Sequence, residues 1–475
     1  MSSKRTAAQG DAMDYQPPYR MRSIAKGAIW PALPPRQALP VHALLLQLEQ
    51  SQWLTGEELE ARQMMQLAAL LRHAQRSVPF YRERLAPIAE RLEREPLSPA
   101  LFAELPLLTR AEIQSAGSEL HSTDVPKSHG QVTSTMTSGS TGKPIEVLHS
   151  ELFQAFWRAV TLRNHTWHRR DFEGSLAMIR GMSVGSAYPE GKRAENWGVP
   201  KMAGIESGPL LTLDINCTPE QQVDWLQRKN PDYFITHPTN LERVARYCLR
   251  ERIALPRLRE VMTVAEILTP EARVLARKAW DVPVADMYTS RDLGYMALQC
   301  PEQEHYHVMA ETCRLEVLDP AGRPCGPGEV GRIVVTPLQE FAMPLIRYEI
   351  GDHAEVGEPC PCGRGLPVLK RILGRTQQML ALPDGSKRWT LLGQGDLDML
   401  RGLGIEQFQF VQTAVETLEV RLAVPEPLTP EVESKVRDWV AETYGSHLEV
   451  ELAYFDEIPR TKEGKFFEFM SEVRD

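Results

Sequence analysis

Between residues 218 and 288 helix-like and strand-like segments alternate so regularly that few folds can hold them. Thr218-Pro219-Glu220 opens a helix, with Thr as N-cap and Pro in the first turn. Strand-like DYFIT follows at 232–236, a helix runs through Asn240-Leu-Glu-Arg-Val-Ala-Arg, and VMTV comes at 261–264. A second Thr-Pro-Glu start at 269 opens another helix before VADMY at 284–288. This pattern predicts an α/β sheet whose ligands gather at strand ends.

The rest of the chain is arranged around that core. At 475 residues it exceeds the size at which one hydrophobic core stops growing, about 250–300 residues, so more than one domain is expected. Residues 1–40 are Pro-rich and irregular, an expected arm. From Ala43 to Gln75 apolar residues recur at helical spacing, predicting a pair of helices. After Cys300 the texture turns to strands, with RLEVLD at 314–319 and GRIVVTPL at 331–338 joined by turn-rich AGRPCGPGE, the pattern of a hairpin. FQFVQTA, LEVRLAV, a helix near 429–444 and LEVELAYF then form a small α+β unit. The boundary is placed near Gly374, giving a large α/β domain over 41–373 and a small α+β domain over 374–475.

Charge narrows the function classes. With 54 Lys+Arg against 63 Asp+Glu the net charge is −9, which argues against a nonspecific nucleic-acid binder or a protein held to anionic lipid. No apolar run reaches bilayer length, and the polar start MSSKRTAAQGDAMDYQPP lacks the order of a secretory signal, so a cytoplasmic protein is expected. Of seven cysteines five fall between Cys300 and Cys362, a clustering that suggests metal rather than bridges.

The most specific short signal is Thr137-Ser138-Gly139-Ser140-Thr141-Gly142-Lys143-Pro144. Glycines let backbone N–H groups approach an anion, while the hydroxyls and Lys143 add donors and positive charge. It is not a Walker A loop, because Pro144 stands where that pattern needs Ser or Thr. Composition alone also fits a flexible Ser/Thr/Gly linker, but the ordered Lys-Pro ending before β-prone IEVLH favours a phosphate cradle.

With this loop the sequence resembles the adenylate-forming superfamily of acyl- and aryl-CoA synthetases, and within it the phenylacetate–CoA ligase-like branch. Further matches in the right order, spread from about Pro79-Phe-Tyr to Lys465, strengthen the resemblance. Tyr288-Thr-Ser-Arg-Asp-Leu-Gly294 is similar to the segment whose aromatic lies on adenine and whose acid serves Mg²⁺, which implies those roles for Tyr288 and Asp292, although most members carry Glu at the latter. Pro344-Leu-Ile-Arg-Tyr-Glu-Ile-Gly-Asp352 resembles the segment whose Asp holds both ribose hydroxyls, and a carboxylate suits a vicinal diol because it offers two acceptors. Arg347 in that segment reads as an ion-paired structural residue. Leu373-Gly374-Arg375 resembles the hinge, with Arg375 near the ribose, but Gln377-Gln378 follow where members often have acids. Ile458-Pro-Arg-Thr-Lys-Glu-Gly-Lys465 resembles the loop that delivers the catalytic lysine, whose ammonium stabilises charge between α-phosphate and attacking carboxylate.

The resemblance further implies an acid pocket lined by His237, Thr263 and Ala265, with Glu266 at the nucleotide, and ATP with Mg²⁺ as cofactors. A small-molecule carboxylic acid is then joined to AMP and passed to an acceptor. Coenzyme A leads as acceptor by kinship; an amine or a carrier-protein thiol stays open, because Ala381-Leu-Pro-Asp-Gly-Ser-Lys-Arg-Trp389 departs from the pattern of CoA-forming relatives. A family member that binds nucleotide without turnover is the alternative. Cys300, His307, Cys360 and Cys362 supply three thiolates and one imidazole, enough for a closed zinc site, with unligated thiols as the competing reading. Choosing His307 over His305 rests on the resemblance. Oligomeric state is not legible.

Overall fold

The computed structural model describes residues 20–136, 145–181, 186–375 and 379–390, and from 399 to 473 all but 401, 406, 425, 457, 459–465 and 468. A twelve-stranded mixed sheet organises the large part. Five of its strands run parallel side by side: Leu210–Asp214, Leu176–Arg180, Tyr233–Thr236, Glu260–Val264 and Val284–Ser290. The helices Pro219–Lys229, Pro238–Glu251 and Pro270–Trp280 connect four of them, as the alternation in the sequence requires.

Local chemistry sets these helix boundaries. Thr218 accepts from Gln221 N in a reciprocal capping box, and Thr269 accepts from Ala272 N. The three helices stop on residues in the left-handed conformation, Asn230, Arg252 and Asp281. Their apolar faces bury Trp225, Leu226, Leu241 and Val244 against Phe234 and Val261 of the sheet, in one core layer.

Beyond Val284–Ser290 the sheet turns antiparallel, in the order Gly294–Gln299, Tyr306–Val308, Val368–Arg375, Tyr348–Val356, Val330–Pro337 and Cys313–Leu318. The last two form the expected hairpin, with Cys313 opposite Pro337. Of the two N-terminal helices, Leu39–Ser51 packs on helix Glu151–Trp167, while Gly56–Ser77 places Met64, Leu67 and Leu71 in a core with Val335 and Tyr348. Arg347 pairs with Glu316 at 3.1 Å, as an ion-paired structural residue should.

The C-terminal unit is a four-stranded sheet in the order Glu449–Phe455, Thr417–Ala423, Gln407–Ala414 and Phe469–Ser471. Helix Pro430–Tyr444 covers it, burying Val436, Val440 and Tyr444 against Phe410 and Phe469. The hairpin Met379–Ala381/Lys387–Trp389 belongs to this unit, because the Gln412 side chain bonds both Ala381 N (2.9 Å) and Ala381 O (2.8 Å). Among the described residues no helix is long and apolar enough to cross a membrane.

Candidate active site

A cavity of about 1490 Å³ lies where the parallel strands end. Arg180, His237, Glu266, Tyr288, Asp292 and Asp352 all contribute to its wall. In a parallel sheet the carboxyl ends are where backbone leaves the ladder and loops can turn side chains toward a ligand.

Tyr288, near the end of its strand, donates its hydroxyl to Asp352 Oδ2 at 2.7 Å. Asp352 stands on the antiparallel strand Tyr348–Val356, opposite Arg375 in the register. Tyr288 and Asp352, which the sequence assigns to base and ribose, therefore meet in the cavity wall. Asp292 lies in the turn after the Tyr288 strand, half-buried. Beside it Arg291 reaches Met136 O at 3.3 Å, the end of the strand Val132–Met136. That strand pairs antiparallel with Glu146–Ser150. Thr137 to Lys143, the expected phosphate cradle, fall between the two and, like Lys465, lie outside the described residues.

Glu266 lines the same cavity as Tyr288 and Asp352, and the start of a helix holds its carboxylate. Its Oε2 accepts from Thr239 N at 3.1 Å and Thr239 Oγ1 at 2.8 Å, and its Oε1 faces His237 Nδ1 at 3.4 Å. His237 is the N-cap of helix Pro238–Glu251 but makes no side-chain cap bond, so Glu266 supplies the anion for the helix N-terminus. Glu266 Oε1 also accepts from Phe466 N at 2.8 Å, which ties the C-terminal unit to the large one. Just before it, Ala265 lines the cavity with φ at +75°, a left-handed conformation costly for a residue with a Cβ.

Thr263 does not line the cavity. Side chains alternate along a strand, and it is Met262 and Val264 that face the cavity. Thr263 is buried and donates to Asp286 Oδ1 at 2.6 Å, while Tyr306 donates to Asp286 Oδ2 at 2.7 Å. Burial pushes the Asp286 carboxyl above its ordinary range, against the pull of these two donors.

Sequence reasoning passed over a second buried pair. His149 Nδ1 lies 2.8 Å from Glu340 Oε2, and His149 Nε2 lies 2.9 Å from Arg291 O. Both nitrogens face acceptors, so the pair must share a proton to satisfy them. Burial raises the Glu340 carboxyl, favouring that shared state. The imidazole stacks on Phe153 with centroids 4.2 Å apart, fixing the Arg291 carbonyl from behind. The pairing spans 191 positions, too far apart for any short segment to announce it.

Cys300, His307, Cys360 and Cys362 converge, their ligand atoms all within 4.8 Å of one another. Cys300 Sγ is 3.8 Å from Cys360 Sγ, and Cys362 Sγ is 3.4 Å from His307 Nε2. A tetrahedral site with zinc–sulfur bonds of about 2.3 Å places its sulfurs about 3.8 Å apart, so the donor set fits that ion. Burial lowers His307 to about 4, which keeps its imidazole neutral and able to ligate. The other cysteines stay apart: Cys248 is packed in the core, as is Cys313, whose Sγ approaches Met309 O at 3.6 Å.

Known proteins are similar to this chain in sequence and in shape. A family model described as the CapK C-terminal domain matches residues 397–471. Phenylacetate-coenzyme A ligase of Thermus thermophilus is 27% identical over 254 residues, 52% of this chain and 55% of the relative. Protein CapK of Staphylococcus aureus is 23% identical over 245 residues, 50% of this chain and 53% of the relative. The chain thus spans about half the length of the curated relatives it matches. Among solved structures, 2-hydroxyisobutyryl-CoA ligase in the postadenylation state with R3-HIB-AMP superposes with a TM-score of 0.65 at 18% identity, covering 88% of this chain and 90% of that one. By sequence the chain is similar to a phenylacetate-coenzyme A ligase and to protein CapK, and by shape it shares the fold of 2-hydroxyisobutyryl-CoA ligase.

Proposed function

We propose that the protein joins a small organic carboxylic acid, of aryl or short acyl type, to AMP with release of pyrophosphate, and then passes the acyl group to a thiol, coenzyme A. The observation that carries this reading is the Tyr288–Asp352 hydrogen bond at the strand-end cavity, which unites base-binding and ribose-binding candidates 64 positions apart. The names of the Thermus relative and of the structural neighbour, both CoA ligases, support it.

In this mechanism the acid's carboxylate attacks the α-phosphorus and pyrophosphate leaves. Residues 137–143 cradle the phosphates, Lys465 bridges α-phosphate and attacking carboxylate, Tyr288 lies on the adenine, and Asp352 and Arg375 hold the ribose. Asp292 offers a carboxylate to Mg²⁺, which when bound screens phosphate charge. His237 and Ala265 border the acid. The thiol then attacks the acyl carbon and AMP leaves.

Cys300, His307, Cys360 and Cys362 are assigned to a structural zinc, because four protein ligands leave no open position for chemistry. Residues 41–373 form the adenylating domain, 374–475 the lid and 1–40 the arm. Seven cysteines without a disulfide suit the cytoplasm.

ATP–pyrophosphate exchange over a panel of aryl and acyl acids tests the first step, and ATP binding without exchange for any acid would sink it. A screen of thiols, amines and carrier proteins with the best acid then tests coenzyme A as the acceptor.

A further inference from the structure

Arginines buried in this protein come with partners. Arg163 meets Glu311 at 3.0 Å, Arg170 donates through Nη2 to Glu260 at 3.1 Å, and Arg273 donates to Val284 O and Gln299 Oε1, each at 2.7 Å. The half-buried Arg180 in the cavity wall differs from these. It ends the strand Leu176–Arg180 and its side chain is half-buried in the cavity wall, yet it makes no ion pair and no side-chain hydrogen bond with any described residue. Burial and then the nearby Arg291 push its guanidinium below the ordinary range.

A guanidinium partly out of water without a counter-charge is costly, and the missing partner of such a group is commonly a ligand. Position says which part of the ligand. Arg180's strand lies three places across the sheet from the strand of Tyr288, and its side chain lines the same cavity as Tyr295 and Arg291. The cavity wall beside Arg180 is that of a binding slot. Met178 lies two residues back on the same face, and Trp157 packs near Tyr295 with centroids 6.0 Å apart. Thr161 donates to the Tyr295 hydroxyl at 3.2 Å. An acid placed with its reacting end at the nucleotide points its far end here.

We propose that the acid carries a second carboxylate at its far end and that Arg180 binds it, two N–H groups to two oxygens. This rests on the adenylation reading and specifies its substrate class as dicarboxylic acids.

The test is exchange kinetics with paired acids that differ only in a distal carboxylate or its carboxamide, on the full chain and on Arg180→Met and Arg180→Lys. The expected result is a kcat/KM preference of about 100-fold or more for the dicarboxylate, collapsing to near parity in Arg180→Met and partly kept in Arg180→Lys. Exchange without preference in the unaltered protein overturns the inference and leaves adenylation standing. A preference that survives Arg180→Met, or an equal loss on both acids, removes Arg180 from distal recognition. No exchange with any acid overturns the adenylation reading and this inference with it. Should Arg180→Met fail to fold, Arg180→Lys and competition between paired acids on the unaltered protein carry the decision.

Discussion

The two halves of the twelve-stranded sheet are built to different ends. At the ends of the parallel strands, groups are left available or held by exchangeable contacts: Arg180 without a partner among the described residues, Ala265 in a left-handed turn, Glu266 bonded across to the C-terminal unit. The antiparallel half ties its groups down. Arg347 is locked on Glu316, and Glu355 takes Lys370 at 2.7 Å and Arg371 at 2.6 Å from the neighbouring strand. The Cys/His cluster joins the end of Gly294–Gln299, the short strand Tyr306–Val308 and the loop after Tyr348–Val356. One half is arranged to be acted upon, and the other keeps Asp352 in place while that happens.

This contrast can be broken by experiment. The largest effect should come from Lys465→Ala, which we expect to lower acid-dependent pyrophosphate exchange by about 10²–10³-fold with a much smaller change in ATP affinity. Unchanged exchange would take Lys465 out of the mechanism. On the other side, Cys360→Ser should abolish a zinc content near one per chain and lower stability to urea by about 3 kcal/mol or more. If metal analysis finds no zinc in protein purified without chelator, the cluster is a set of thiols and the contrast weakens.

Glu266→Ala sharpens the comparison at the joint between units. It should cost about 1–2 kcal/mol of stability through three donors left without their acceptor. It should also slow exchange by about 10-fold through misplacement of the segment that follows Lys465. Thioester formation from supplied acyl-AMP should slow less, and an equal loss in both half-reactions would reduce Glu266 to a helix cap. The smallest effect belongs to Glu355. Hydrogen bonds from Lys370, against a burial penalty, and from Arg371 hold its carboxyl below the usual value of 4.5. The stabilisation is therefore present above the unfolded pKa and is lost as pH falls through the folded one. Glu355→Gln should flatten the acid limb of a Tm-against-pH curve by less than about 1 kcal/mol, because both partners are largely exposed. A steep acid limb that persists would assign it to other groups.

What the sequence made legible was local. The Thr218 and Thr269 starts and the strands between them are written in adjacent residues, so caps and periodicity located them. Tyr288 and Asp352 were found because each sits in a distinctive short segment, although their hydrogen bond could not be read from either. Long-range pairing stayed hidden. Nothing in Tyr306–Val308 announces Val368–Arg375 as its neighbour, and Thr263 was assigned to the pocket because strand phase, one residue either way, decides which face a side chain takes. Arg180 escaped notice for a related reason: a charge closing an apolar run looks like the start of a loop until its partners can be counted.

The bond from Glu266 to Phe466 has a hereditary consequence. Its donor is a main-chain amide, present in every residue type except proline. Position 466 can therefore drift among nineteen amino acids without losing the donor, while position 266 must keep an acceptor of the right length. The joint between the two units is inscribed on one partner only, and a comparison of C-terminal sequences alone would never reveal that a joint is there.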